Sequence, residues 1–211
     1  MVSAVALAGL ITSLLAPTSP LAPAQAQAQA QAEVTLPDGV AVEVVAVNGS
    51  GCPAAEGTAT VSPDGTLIEV EATAYLAWAG GAATPPDSRK NCQLSLHVTR
   101  PAGWTYAIVR ASSSGFAYLP EGATGTTRIS LYFQGMSPTT MLTTTFDAPM
   151  ASTWRTADTV APDRLTFAPC DTERNLNINT ELRVKPGDDR SADVVMVREA
   201  VTSYRLTWVR C

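Results

Sequence analysis

Residues 174–184 read RNLNINTELRV, and this stretch decides the fold. Leu176, Ile178, Leu182 and Val184 fall on one parity, and Asn175, Asn177, Asn179, Glu181 and Arg183 on the other. Side chains of a β-strand alternate between two faces, so the pattern is that of a strand with one buried side. The amides then repeat on the outer side at ~6.6 Å per pair of residues. Asparagine is disfavoured in strands, which makes a row of three unusual.

The same alternation recurs along the chain. It is found in VAVEVVAV (40–47), LIEVEATAY (67–75), QLSLHV (93–98), TYAIV (105–109), RISLYF (128–133), ADVVMV (192–197) and SYRLTWV (203–209). All are short and rich in β-branched or aromatic residues. Turn chemistry separates them: PDG at 37–39 and 63–65, PAG at 101–103, EGATG at 121–125 and KPGDD at 185–189. REAVTSY (198–204) has room for one helical turn. Strands at this spacing with no helical period between them predict an all-β fold, an antiparallel β-sandwich or jelly-roll-like domain.

The parity also assigns faces. Ile68, Val70, Ala72 and Ala74 are expected inward, with Glu69, Glu71, Thr73 and Tyr75 outward. Cys92, Leu94, Leu96 and Val98 are expected inward, with Gln93, Ser95 and His97 outward. Trp208 alternates with Tyr204 and Leu206 and reads as core. Trp104 lies beside the PAG turn, and Trp154 falls in a segment, MASTWRTAD, that reads as irregular.

The first thirty-two residues carry no charged side chain and no histidine. Val5 to Leu15 is an apolar run too short to span a bilayer, and the AQAQAQAQA repeat (24–32) offers Ala-x-Ala cleavage sites. Residues 1–32 are expected to be a signal peptide with an Ala-Gln-rich leader, although no Lys or Arg precedes the apolar run. Residues 33–211 remain as one β-sandwich domain of roughly 180 residues, long enough for a sizeable core. Secretion to the extracellular space follows, with no membrane segment once the signal is cleaved. The net charge of −5 argues against a nucleic-acid partner, since a phosphate backbone demands a basic face.

The four cysteines, Cys52, Cys92, Cys170 and Cys211, are expected to form two disulfides in an oxidising compartment. Of the three possible pairings, Cys52 with Cys92 and Cys170 with Cys211 joins each cysteine to one about forty residues away. Each such loop contributes ~4 kcal/mol in the chain-entropy model. No C-x-x-C pair exists, and the single histidine is not spaced like a ligand, so neither metal nor cofactor is expected.

No motif selects a catalytic residue. His97 lies mid-strand, no G-x-S-x-G turn accompanies it, and SSSG (112–115) reads as a serine-rich loop. An N-terminal copper centre needs a mature chain that begins with His, which no cleavage here gives. Glu69, Glu71, Asp147, Asp158, Asp171 and Glu173 could serve a glycosidase, but nothing singles out a pair. DDRSAD (188–193) lacks EF-hand spacing, and NGS (48–50) matches the N-glycosylation pattern. Two features suit binding instead. The amides of Asn175, Asn177 and Asn179 each offer two donors and an acceptor to a polyhydroxyl ligand. Trp78 stands in YLAWAGGAATPPDSRKN (75–91), a stretch that reads as a long loop able to present a stacking ring. Both features have structural alternatives, in which the amides pair with hydroxyls across strands or join a buried network and Trp78 packs over the sandwich edge.

GSGCP (49–53), DSRKNCQL (87–94), GWTY (103–106), APC (168–170), RNLNINT (174–180) and YRLTWVRC (204–211) resemble the secreted family catalogued as domain of unknown function number 4360. The likeness runs from about Val40 to the C-terminus. It implies a small exported β-rich protein with two disulfides, and it supplies no activity and no catalytic residue. The reading these observations favour is a non-enzymatic secreted binding protein for carbohydrate or cell-wall polymer. The alternatives are a polysaccharide hydrolase working through paired carboxylates, or an effector or inhibitor aimed at a protein partner.

Overall fold

Eleven strands carry the alternation into two facing antiparallel sheets, seen in a computed structural model that describes residues 37–53, 57–137 and 139–211. The expected leader, residues 1–32, lies outside the described residues. The strands are β1 (Ala41–Asn48), β2 (Thr58–Val61), β3 (Leu67–Glu71), β4 (Tyr75–Ala79), β5 (Arg89–Thr99), β6 (Trp104–Leu119), β7 (Thr124–Phe133), β8 (Thr139–Asp147), β9 (Met150–Thr159), β10 (Leu176–Lys185) and β11 (Val194–Arg210). The five-stranded sheet runs β1-β5-β10-β7-β8, and the six-stranded sheet runs β2-β3-β11-β6-β9, with β4 also paired to β11. The asparagine strand β10 is therefore central, bonded to β5 on one side and β7 on the other.

The two inner faces meet in a core drawn from both sheets. Leu94, Leu96, Ile129, Leu131, Leu176 and Ile178 come from one; Ile68, Val70, Ile108, Tyr204, Leu206 and Trp208 come from the other. Tyr106 packs edge-on to Phe133 at 5.6 Å between ring centroids and tilted against Trp208 at 5.3 Å. A second apolar cluster holds Tyr75, Ala77, Leu119, Trp154, Leu182, Val184, Val194 and Met196 around the first disulfide. Where each strand passes from one cluster to the other, its inward residue is polar: Ser113 on β6, Thr127 on β7, Thr180 on β10 and Arg198 on β11 are all buried. A hydrophilic belt thus divides the interior.

Both staples form as the forty-residue spacing suggests. Cys52–Cys92 ties the segment after β1 to β5, with Cα atoms 5.4 Å apart. Cys170–Cys211 fastens the last residue to the segment before β10, with Cα atoms 5.7 Å apart.

Several local expectations are corrected. SSSG is not a loop but the middle of β6, where Gly115 is needed: a Cβ there would meet the Trp154 ring and the Val197 carbonyl. MASTWRTAD is strand β9, with Trp154 buried. REAVTSY stays extended within β11, which absorbs a bulge between Arg198 and Thr202. Only residues 80–84 and a 3₁₀ turn, Pro85–Ser88, separate β4 from β5, so the long loop around Trp78 is mostly strand.

LIEVEATAY is two strands, and the second has the opposite phase. Glu71 opposes Val201 and Tyr75 opposes Arg198, a slip of one residue between the two pairings. Such a slip exchanges inside for outside. Tyr75 is accordingly buried and Ala74 exposed, the reverse of the expectation.

Candidate functional site

The outer face of the five-stranded sheet gathers the amides. Asn177 stands between Ser95 on β5 and Tyr132 on β7, and Asn179 between Gln93 and Ser130. Asn48, at the end of β1, extends the second row through Gln93. Asn175 precedes β10 and donates from Nδ2 to Ser95 Oγ at 3.3 Å. Asn179 Oδ1 accepts from Asn91 Nδ2 at a long 3.5 Å. The Asn177 amide makes no side-chain hydrogen bond among the described residues, yet the residue is only 7% exposed. It forms the floor of the face, and the half-buried Gln93, Asn179, Ser130 and Tyr132 stand around it. The width of the sheet dries its centre, so the ladder is less wet than a lone strand would be.

Charge gathers at the two ends of this face, with Arg89, Glu181 and Arg183 at one and Glu43 opposite His97 at the other. Arg89 Nε donates to Glu181 Oε2 at 2.7 Å, and Arg183 approaches Glu181 Oε1 at 3.5 Å. Glu181 is buried and Arg89 and Arg183 are exposed, which makes the group a local clamp across β5 and β10. His97 lies outward on β5 with Nε2 3.9 Å from Glu173, an exposed carboxylate. The middle of the face is neutral, made of amides, hydroxyls and one phenol ring.

Trp78 is not part of this face. It projects outward from β4 on the opposite sheet, in a row with Val195 on β11 and Tyr118 on β6. The next row holds Leu76, Val197 and Phe116. Leu76, Phe116 and Tyr118 are 45%, 41% and 45% exposed, so the two rows make one apolar, aromatic surface. The Asn ladder and Trp78 thus occupy opposite sides of the sandwich.

Tyr132, Phe116 and Tyr118 are outward-facing residues that the sequence reading did not single out. Alternation in RISLYF already puts Tyr132 on the parity of Ser130, so that signal was present. Phe116 and Tyr118 were hidden when the preceding serines were read as a loop.

The six carboxylates considered for hydrolysis are dispersed. Glu69 and Glu71 are on β3, Asp147 ends β8, and Asp158 on β9 accepts from Thr144 Oγ1 at 2.9 Å. Asp171 and Glu173 line a shallow hollow with Trp104 and Arg100. Arg100 serves the backbone there: its Nε donates to the Trp104 carbonyl at 2.7 Å and its Nη2 to the Pro169 carbonyl at 2.5 Å. Among the described residues no group of three or more His, Cys, Asp or Glu could hold a metal ion. In DDRSAD, Asp189 Oδ1 instead accepts from Ser191 N at 2.9 Å and from Ser191 Oγ at 2.6 Å. No described helix is long and apolar enough to cross a membrane.

A family model described as domain of unknown function (DUF4360) matches residues 38–211. An uncharacterized secreted protein of Arthroderma benhamiae is 28% identical over 180 residues, covering 83% of this chain and 73% of its own length. Like that relative, this chain is a secreted protein. A family 11 carbohydrate-binding module from Clostridium thermocellum, in complex with a β-1,3-1,4-mixed-linked tetrasaccharide, aligns over 79% of this chain and 95% of its own. Its identity is 11% and its TM-score 0.28, too low for the likeness to carry weight.

Proposed function

We propose that this chain, which belongs to the family described as domain of unknown function (DUF4360), is a non-enzymatic binding protein that holds an extracellular carbohydrate or cell-wall polymer on the outer face of its five-stranded sheet. The observation that carries the reading is the centre of that face, where the unengaged amide of Asn177 lies between Ser95 and Tyr132 and is flanked by Asn175 and Asn179. A polyhydroxyl ligand matches paired donors and acceptors on a neutral surface, and an aromatic ring beside them can stack on the apolar face of a sugar. Ligand sites combine a few placed polar groups with such apolar contact area. The leader, residues 1–32, would be removed on export.

A second reading rests on the opposite sheet. Trp78 and Tyr118 lie two strands apart, ~9.5 Å, with Phe116 in the adjoining row, which is a flat aromatic platform suited to an insoluble polymer. The test is depletion of the purified secreted protein by insoluble chitin, cellulose, peptidoglycan and β-glucan, with released reducing ends assayed in parallel. Saturable removal by one polymer without reducing ends supports the binding function. Reducing ends that vanish on substituting a single carboxylate would replace it with the hydrolase alternative. Removal by none of the four, with a partner captured in a form insensitive to free sugars, would replace it with protein recognition.

A further inference from the structure

Arg198 is the one arginine in the described interior, 2% exposed on β11. Its Nη1 donates to Thr127 Oγ1 at 3.2 Å and its Nη2 to Thr202 Oγ1 at 3.1 Å. Both partners are neutral hydroxyls, and among the described residues no carboxylate lies within ion-pairing distance of it. A charge withdrawn from water costs several kcal/mol unless a counter-charge meets it. Buried charges are as a rule paired, and the described protein offers Arg198 no counter-charge.

The surroundings supply the rest of a site. Tyr204 is fully buried, and its hydroxyl lies beside Arg198 and Thr202 without a hydrogen bond of good geometry to either. Tyr75, also buried, donates from its hydroxyl to Thr180 Oγ1 at 3.0 Å, and Thr180 Oγ1 in turn donates to the Cys92 carbonyl at 3.2 Å. Arg198, Tyr204, Tyr75, Thr180 and Thr202 all line one cavity of about 20 Å³, enough for a single water-sized particle. The cavity reaches the surface beside Ala72, Thr73 and Ala200, where β3 gives way to β4 opposite the bulge of β11. The interruption between the two strands and the bulge therefore frame an entrance.

We infer that this cavity is a binding site for one small monovalent anion of halide type, held by the Arg198 guanidinium and the Tyr204 hydroxyl. Donors converge on the space from Arg198 and Tyr204, and no acidic side chain lines it. Its volume admits a monatomic ion and excludes sulfate or phosphate. Burial pushes the Tyr204 hydroxyl up to about 12, with the Arg198 charge acting against that rise, so Tyr204 remains a proton donor at neutral pH. The cavity lies between the two sheets, because Arg198 and Tyr204 belong to one and Thr180 to the other.

The test is thermal unfolding of the purified secreted protein in sodium chloride against sodium gluconate at equal ionic strength, together with anomalous diffraction from crystals soaked in bromide. Chloride is expected to raise Tm saturably by about 2–4 °C, as for a ligand that binds only the folded state. Bromide is expected to give an anomalous peak within hydrogen-bonding distance of Arg198 and Tyr204. Tyr204→Phe, which keeps the ring packing, should shift the chloride midpoint several-fold higher, and Arg198→Met should abolish the chloride dependence. No bromide peak in the cavity, or the same chloride response in Tyr204→Phe and Arg198→Met as in the parent, would overturn the assignment.

Discussion

Asn177 and Tyr132 oppose one another across β10 and β7, but they do different work. Because the Asn177 amide has no side-chain partner in the described protein, Asn177→Ala removes no internal hydrogen bond. Its stability is expected within about 1 kcal/mol of the parent, while affinity for the bound polymer falls at least several-fold. Gly115→Ala behaves in the opposite way. A methyl group there meets the Trp154 ring and the backbone of β11, so the expected loss is about 1–3 kcal/mol in a denaturant midpoint, with no direct effect on the polymer face. Residues of the first kind were partly legible, since strand parity put Asn177 and Tyr132 on outer faces. That they stand side by side was not legible, because neighbouring strands are chosen by contacts far apart in the chain. Arg198 was overlooked because an arginine is not expected inward, although the buried positions of β11 keep one parity from Val194 to Trp208.

Strands and staples were the most legible elements. Alternation located β1, β5, β7 and β10 closely, and cysteine spacing gave both disulfides. Strands β8 and β9 were missed because threonine, serine and alanine dominate them, leaving little apolar contrast between faces. Replacing Cys170 and Cys211 together by serine is expected to cost ~4 kcal/mol and to open β11 first at Trp208–Arg210, seen as faster amide exchange there. The 3₁₀ turn Pro85–Ser88 gives a pH prediction. Asp87 Oδ2 accepts from Thr84 Oγ1 at 2.6 Å and Thr84 N at 2.9 Å, and Lys90 Nζ stands 2.9 Å from Oδ1. These contacts, the Thr84 hydroxyl foremost, lower its carboxyl to about 2 from an ordinary value of 3.8. A carboxylate favoured by the fold stabilises it fully above the ordinary value and stops doing so as pH falls through about 2. Between pH 4 and 2 the Thr84 amide should lose protection, and Asp87→Asn should remove that pH dependence while weakening the turn at neutral pH.

At the scale of the whole molecule, the described residues form a stapled sandwich with a patch of amides and hydroxyls on one outer face and an aromatic and aliphatic patch on the other. Composition and alternation sufficed for the all-β class, since antiparallel sheets with one solvated side impose that pattern directly. They could not assign Asn177 and Trp78 to opposite sheets, because both lie on outward parities and topology alone separates them. The most direct measurement is a depletion isotherm on the polymer that best retains the protein, run for the parent, Asn177→Ala with Tyr132→Ala, and Trp78→Ala with Tyr118→Ala, each with its Tm. The account predicts that the first pair abolishes retention at an unchanged Tm while the second pair binds like the parent. Retention that survives the first pair and disappears with the second would contradict it and move the site to the aromatic face.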